Sequence, residues 1–562
     1  MELGADEFER SLPLLQELVM GADFVGLDME FTGLHSNLSR SQQISLFDLP
    51  SEWYLKNRQN VQKFTICQIG LSVFSSIEGE SNKYVAHSCN FFLFPTTFGT
   101  LDSEFSFQAS SVQFLNQYGF DYNKFLKNGI PYMNEEQEKK IKHSILTGNW
   151  RTHNSLNKHQ IKLVIDEVTQ WLDLAEEGDW MTLPGITGFQ AFEVQLVLRQ
   201  ALPRVWTVLT GQEVIVKKVS KQQRWRLENT SCDQETSWKE KILLSARGFS
   251  VFFQMLVKAQ KPLVGHNMMM DLLHLHEKLF RPLPESYDQF KLNIHNLFPV
   301  LIDTKNVTKD IWKELNFPRV SSLSEVYEVL NSDLNPTRNS GPVIIHASKC
   351  EKYAETKYPH EAAYDAFLCG SGSAPAAVES TQTREGTRGY CPRQHLPVLS
   401  AARHCVLSAS LFLCPCSAGA TPELSFPLYL DVLAPYVNQV NLIRARVPRI
   451  NFSGPDCPST RPPILILSVR RWPGVSEQQV YREFQNLCKF DVRRLTRSQF
   501  LLLTNKFKDA RSVLKEYRGH PTLQVSLYRY WQHSLNINCL LQVCGVVATW
   551  ALVAFLLGRP GP

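Results

Sequence analysis

Three apolar runs near the start of the chain constrain its fold most. Residues 21–34, 63–76 and 82–95 read as successive strands. FTICQIGLSVF (64–74) and KYVAHSCNFFLF (83–94) are dense in β-branched and aromatic residues, which suit a pleated, buried surface. Helical periodicity follows in NEEQEKKIKHSIL near 134–146 and KLVIDEVTQWLDLAEE at 162–177. It resumes over 243–280 as a helix, a turn at Lys261-Pro262, a short strand and another helix. The order predicts an α/β domain. Residues 178–240, mixed and charged, read as an insertion or small subdomain.

The first run, FVGLDMEFTGL, carries a chemical problem. Asp28 and Glu30 stand two residues apart, so a strand presents both on one face. A carboxylate in apolar surroundings is costly unless it is paired or coordinates a cation. Two further acids sit in similar frames. Asp271 follows the strand PLVGH, just inside a helix, in GHNMMMDLLHL. Asp365 lies near a predicted helix start in YPHEAAYDAFL, five residues after His360. Mg²⁺ and Mn²⁺ prefer carboxylate oxygens and water. Two such ions can activate a water and stabilise a leaving oxygen in phosphodiester hydrolysis. An Asp-x-Glu pair plus one Asp from each of two helices supplies that ligand set. Five residues of helix rotate by about 140° net, so His360 and Asp365 cannot share a helix face. His360 is therefore placed at the helix mouth, able to serve as a general base. Glu361 reads as a favourable charge in the first helical turn. His274 and His276, two apart on a helix, cannot converge on zinc. Phe31 either stacks on a base or fills the core. Asp303 is a turn residue or a substrate contact, and Lys305 a phosphate contact.

Composition excludes some classes. The chain is 43% hydrophobic and 20% charged, which suits globular domains rather than disorder. Its 562 residues allow two to four of them. A net charge of +5 permits an anionic partner without demanding one. The 13 cysteines are odd in number and lack metal-type spacing, so they read as reduced intracellular thiols. The acidic start MELGADEFER has neither signal-peptide nor transit-peptide character.

DMEF at 28–31, Asp271 behind GHN, and HEAAYD at 360–365 resemble the DEDDh 3′-to-5′ exonucleases. The closer resemblance is to their poly(A)-specific ribonuclease (deadenylase) branch. NGIPYMNEEQE (128–138), GFDYNKF (119–125), LIDTK (301–305) and NFSGPD (451–456) look similar to that branch too. The likeness covers about residues 1–368 and 425–520. It implies an RNase H-like exonuclease core, a mixed sheet flanked by helices, over 1–150 and 241–455. Asp28, Glu30, Asp271 and Asp365 would hold two Mg²⁺ ions, or Mn²⁺, and His360 would be the base. Residues 151–240 occupy the place of the family's small nucleic-acid-binding domain but lack a clear Arg-x-x-x-His signature.

Further along, residues 369–424 contain no Lys and five of the cysteines; they read as an atypical flexible insert. This insert interrupts the apolar continuation expected after Cys369, so the Asp365 helix is expected to be weakly supported. From Pro463 a β-α-β-β-α order predicts an RNA-recognition-motif-like module over 461–525. ILILSV offers no stacking aromatic and the third strand only Phe500, which favours a structural or weakly binding module. Cys539 to Leu557 carries no charge. As a helix it spans roughly 28 Å, which predicts a transmembrane tail anchor over 537–558. Tyr528, Tyr530 and Trp531 suit the membrane interface.

The resemblance then points to a membrane-bound member of that branch. Its membrane would be the endoplasmic reticulum or the outer mitochondrial membrane, with the catalytic part in the cytosol. It would act on single-stranded RNA 3′ ends: poly(A) tails, or Piwi-interacting RNA precursors held by a Piwi protein with a tudor-domain adaptor. The alternative is a catalytically impaired form, or a non-catalytic RNA-binding scaffold on a membrane.

Overall fold

The computed structural model describes residues 1–35, 43–80, 83–96, 101, 103–146, 158–186, 189–210, 213–229, 238–315, 322–331, 342–371, 426–470 and 474–557. Most of the expected insert at 369–424 lies outside them. The chain divides into two compact units, 1–37 with 57–441 and 451–456, and 38–56 with 442–450 and 457–562.

The strands of the first unit include β1 (Glu2–Leu3), β2 (Phe24–Phe31), β3 (Ile66–Ser76), β4 (Lys83–Pro95), β5 (Ile130–Tyr132), β6 (Trp180–Leu183), β7 (Val205–Thr210), β8 (Glu213–Lys218), β9 (Leu263–Gly265), β10 (Leu301–Asp303) and β11 (Val343–His346). The main sheet is mixed and runs β1-β4-β3-β2-β9-β10, with β5 and β11 also paired to β4. β3 pairs antiparallel with β2 on one side and β4 on the other, while β9 runs parallel to β2 and β10 parallel to β9. The three apolar runs thus form the middle of the sheet. A helix absent from the sequence reading, Ala5–Gly21, precedes β2 and buries Phe8, Leu15 and Val19.

Residues 362–371 form a helix lying directly on β2 and β3. Gly70 stands opposite Asp28 across the β2–β3 ladder, and Gln68 opposite Glu30. A Cβ on Gly70 would lie 1.9 Å from the carbonyl carbon of Ala362, and one on Gly26 would lie 2.2 Å from the Ala366 oxygen. Two amides from the sheet hold the first turn: Ala362 N–H donates to Gln68 (3.0 Å) and Ala363 N–H to Asn90 (2.7 Å). They satisfy donors that every helix start leaves open. Glu361 accepts hydrogen bonds from Asn90, Tyr353 and Lys352.

The expectation of a weakly supported Asp365 helix is corrected here. Phe367 and Leu368 enter a core with Phe24, Phe74, Tyr353, Tyr429 and Leu433. Tyr429 and Leu433 belong to the helix Phe426–Leu433, which lies beyond the insert in sequence and supplies the missing apolar layer. Phe426 itself stacks on Phe24 at 4.9 Å.

Within residues 151–240, β6, β8 and β7 form a separate antiparallel sheet in that order. The helices Lys158–Leu174 and Phe189–Ala201 cover it through Val168, Leu172, Val194 and Leu198. Arg199 is buried; it donates to Thr207 and stacks on Trp206 at 3.6 Å.

In the second unit, β12 (Leu465–Val469), β13 (Phe490–Arg494), β14 (Gln499–Thr504) and β15 (Leu523–Leu527) form an antiparallel sheet ordered β13-β14-β12-β15. The helices Glu477–Phe484 and Phe507–Glu516 give a β-α-β-β-α-β chain order. Phe500 is fully buried with Phe484, Leu465 and Leu467, so it cannot stack on a base. Leu46 and Phe47 pack with Leu501, Leu503 and Ile464, side chains alternating with that core along the strands. The carboxylate of Asp491 ties this cover down, accepting from Leu46 N–H (2.6 Å) and Arg444 (2.6 Å).

The last helix is Leu535–Leu557. Among the described residues no helix is long and apolar enough to cross a membrane. The expected transmembrane anchor is therefore not returned by them. Its side chains from 539 to 555, including Leu540, Trp550 and Phe555, are exposed.

Candidate active site

Period-two geometry sets the first half of the site. Asp28 and Glu30 leave β2 on the face that receives the 362–371 helix. Immediately after Glu30 the β2–β3 register shifts. Phe31 is buried and its ring stacks on His274 at 4.1 Å, so one face of the candidate base-stacking residue is already taken.

Asp271 comes from the first turn of the helix Met269–His274. The GHN loop before it is fixed by Asp303. That carboxylate is fully buried and accepts from the backbone N–H of Asn267 (2.8 Å), Lys305 (3.0 Å) and Asn441 (2.8 Å). Asn267 takes a positive φ of 60°, a conformation Asn tolerates better than most residues. Asp303 is thus a staple for the loop; its burial excludes the substrate-contact reading. Lys305 is half-buried, and burial lowers its pKa.

Asp365 projects from the glycine-docked helix. His360 lies in the turn before it at φ +64°, and its N–H donates to Asp365 Oδ2 at 3.0 Å. Its ring Nδ1 is 3.8 Å from Asp365 Oδ2 and 4.0 Å from Glu30 Oε1. Ligand atoms of Glu30, His360 and Asp365 all lie within 4.8 Å of one another. Outside the helix, where a 140° offset no longer separates the two residues, a left-handed turn folds His360 back over the carboxylate five residues later.

The electrostatics are those of an uncompensated acid cluster. Burial, then Asp365, Asp271 and Glu30, push the Asp28 carboxyl well above the usual range. Burial, Asp365 and Asp271 do the same to Glu30. Burial pushes Asp271 and Asp365 up to about 7 each. Burial lowers His360, keeping its ring neutral near pH 7. Asp365 Oδ1 is buried with no hydrogen-bond partner among the described residues. Converging carboxylates, an orphaned oxygen and hard donors fit divalent cations such as Mg²⁺ or Mn²⁺.

The chain from 4 to 372 matches the family model described as CAF1 family ribonuclease. The chain belongs to the CAF1 ribonuclease family. Its kinship makes it a 3′-to-5′ exoribonuclease. This CAF1 ribonuclease is 79% identical to the poly(A)-specific ribonuclease PNLDC1 of Mus musculus, covering 100% of both chains. It is 26% identical to the pre-piRNA 3′-exonuclease trimmer of Bombyx mori, over 98% of this chain and 96% of that one. It is 28% identical to the poly(A)-specific ribonuclease PARN of Xenopus laevis, over 87% of this chain and 74% of the relative.

Sequence reasoning missed Gly26, Gly70, Gln68 and Asn90, which seat the helix that carries Asp365. Glycines inside apolar strands are a signal of close backbone approach, and they stand in FVGL and QIGL. Gly70→Ala is expected to destabilise the CAF1 ribonuclease by about 1–3 kcal/mol, since backbone rather than a flexible side chain blocks the new methyl. Urea unfolding checks this; an unchanged midpoint would mean the helix is not seated there.

Proposed function

We propose that this CAF1 ribonuclease shortens single-stranded RNA from its 3′ end with divalent cations, two Mg²⁺ or Mn²⁺, held by Asp28, Glu30, Asp271 and Asp365. The observation that carries this is the meeting of ligand atoms of Glu30, His360 and Asp365 within 4.8 Å of one another, with Asp28 on the strand face of Glu30 and Asp271 near enough to push the Asp28 and Glu30 carboxyls up. Such cations, when bound, would supply Lewis acidity to the attacking water and to the leaving oxygen. The carboxylates bind and fix them. His360 accepts the proton of the attacking water at Nδ1, the ring atom facing Glu30 and Asp365. Its neutral state leaves that nitrogen free of a proton when the ring is the Nε2–H tautomer. Phe31 and Lys305 are proposed to meet the terminal nucleotide, by ring contact and by phosphate attraction respectively.

Substrate identity follows the relatives. The PNLDC1 and PARN relatives are named for poly(A), and the Bombyx mori relative for pre-piRNA. Poly(A) tails and Piwi-interacting RNA precursors, the latter on a Piwi protein with a tudor-domain adaptor, are the corresponding substrates here. Incubation with 3′-labelled single-stranded RNA tests the activity. Mononucleotide release that needs Mg²⁺ and stops with chelator supports it; chelator-resistant release, or internal cuts, would refute it.

The uncharged helix Leu535–Leu557, with exposed apolar side chains along its middle, supports attachment to the endoplasmic reticulum or outer mitochondrial membrane by its C-terminus. Deleting residues 537–562 is expected to release the protein from the membrane fraction. Membrane association that survives the deletion and alkaline extraction would end this reading.

A further inference from the structure

His360 has to present one ring nitrogen to the acid cluster, yet among the described residues no hydrogen bond orients its ring there. Nδ1 stands 3.8 and 4.0 Å from the two nearest carboxylate oxygens, beyond hydrogen-bond reach. The backbone is pinned by the N–H of His360 on Asp365, but this leaves the side-chain torsions open. A general-base histidine is usually oriented through its second ring nitrogen. Something else holds this one.

The ring is clasped from the helix Ala109–Gln117 and the residue that caps its end. Phe114 meets it at 4.6 Å between centroids with planes at 66°, and Tyr118 at 4.3 Å with planes at 64°. Phe114 and Tyr118, one helical turn apart, contact each other at 5.0 Å. The three rings close a triangle. Edge-to-face contacts of this kind favour particular ring orientations, because the positive edge of one ring meets the negative face of another.

The helix that supplies the clasp is itself fixed to the strand of the carboxylates. Gln108, which precedes it, donates its N–H to the Thr32 carbonyl (2.8 Å). Gln108 Oε1 accepts from the N–H of Leu34 (3.0 Å) and His35 (3.2 Å). Thr32 Oγ1 donates to the Ser106 carbonyl at 2.8 Å. On the helix, Leu115 is buried against Cys67, Phe92 and Phe125. The chain just after Glu30 therefore sets the position of the helix, and the helix sets the His360 ring. Phe114 and Tyr118 are 40% and 43% exposed, so neither ring is a core-filling side chain.

We infer that Phe114 and Tyr118 are positioning residues for His360, holding its imidazole over Glu30 and Asp365 by edge-on packing in place of a hydrogen bond. This rests on reading His360 as the general base. The test uses the full chain, 3′-labelled single-stranded RNA and Mg²⁺, with kcat and KM measured separately. Tyr118→Ala is expected to lower kcat about tenfold, the size of one to two ring contacts, with KM and the melting temperature little changed. Tyr118→Phe restores kcat, since the contact needs the ring and not the hydroxyl. Phe114→Leu, as a second and milder variant, lowers kcat in the same direction. The deciding measurement is the His360→Ala background. There Tyr118→Ala is expected to cause no further loss, because the group it orients is gone. An equal loss with and without His360, a loss confined to KM, or full kcat in the Phe114→Ala/Tyr118→Ala double variant would each overturn the clasp. If His360→Ala alone keeps full kcat, the general-base reading itself fails, and the clasp falls with it; that result is distinguishable because it needs no change at Tyr118.

Discussion

Asp28→Asn is expected to reduce turnover of 3′-labelled RNA by at least about a hundredfold while making the metal-free protein more stable. Loss of activity alone would fit any damage to the fold; the opposed signs are the specific expectation. Asp28 feels burial and three neighbouring acids, all of which disfavour its charged form. In the unfolded chain at neutral pH it is ionised, so folding without cations must either protonate it or confine its charge among the others. An amide of the same shape does neither. Thermal unfolding with chelator should therefore show a higher midpoint for Asp28→Asn than for the parent, and added Mn²⁺ or Mg²⁺ should raise the variant's midpoint less. A variant less stable than the parent in chelator, or as active as the parent, would remove Asp28 from the cluster's chemistry.

The second large effect is the pH dependence of stability and its reversal by metal. Asp271 and Asp365 go from an ordinary 3.8 to about 7 in the folded protein. Each shift corresponds to roughly 4 kcal/mol as an order of magnitude. The folded-state pKa lies above the unfolded one, so the folded protein binds more protons between these values. The stability it contributes is fully present below the unfolded pKa and is lost as pH rises through the folded one. The metal-free protein is thus expected to melt at a lower temperature at about pH 8 than at about pH 5. Divalent cations favour the ionised carboxylates, so their stabilising effect should be small at the acid end and large at the alkaline end. Calorimetry across that range, with chelator and with Mg²⁺, checks both slopes. A metal-free midpoint that rises with pH, or a metal effect that does not grow with it, would contradict the acid cluster.

Much of the site was legible because strand geometry is strictly periodic. Two acids at i and i+2 in an apolar strand have one physical outcome, a shared face. Asp271 and Asp365 were legible through the apolar frames around them. His360 was half legible: helical rotation excludes it from the face of Asp365, but the rotation cannot say that a left-handed turn returns its N–H to that carboxylate. Asp303 was ambiguous, since a buried staple and an exposed turn residue look alike until the three donors around it are known. The RNA-recognition-like order was readable from periodicity after Pro463. That Phe500 faces inward, and that Leu46 and Phe47 cover side chains of the other face, depends on a segment more than 400 residues earlier.

The support of the Asp365 helix shows the division most sharply. Read along the chain, the helix runs into an unrelated stretch after Cys369, and its apolar continuation is lost. In the folded protein the helix Phe426–Leu433 supplies that layer from beyond the insert. Gly26 and Gly70 let the Asp365 helix approach the sheet, and Gln68 and Asn90 satisfy its first N–H groups. By itself, the sequence determined that Asp28 and Glu30 share one face of the strand and that four acids stand in apolar frames, because side-chain alternation and the cost of burying charge are local facts. The tertiary structure alone decided how close the groups come and what holds them: the turn at His360, its two aromatic neighbours and the glycine contacts. Those depend on residues brought together from distant parts of the chain, and no local period encodes a distance between them.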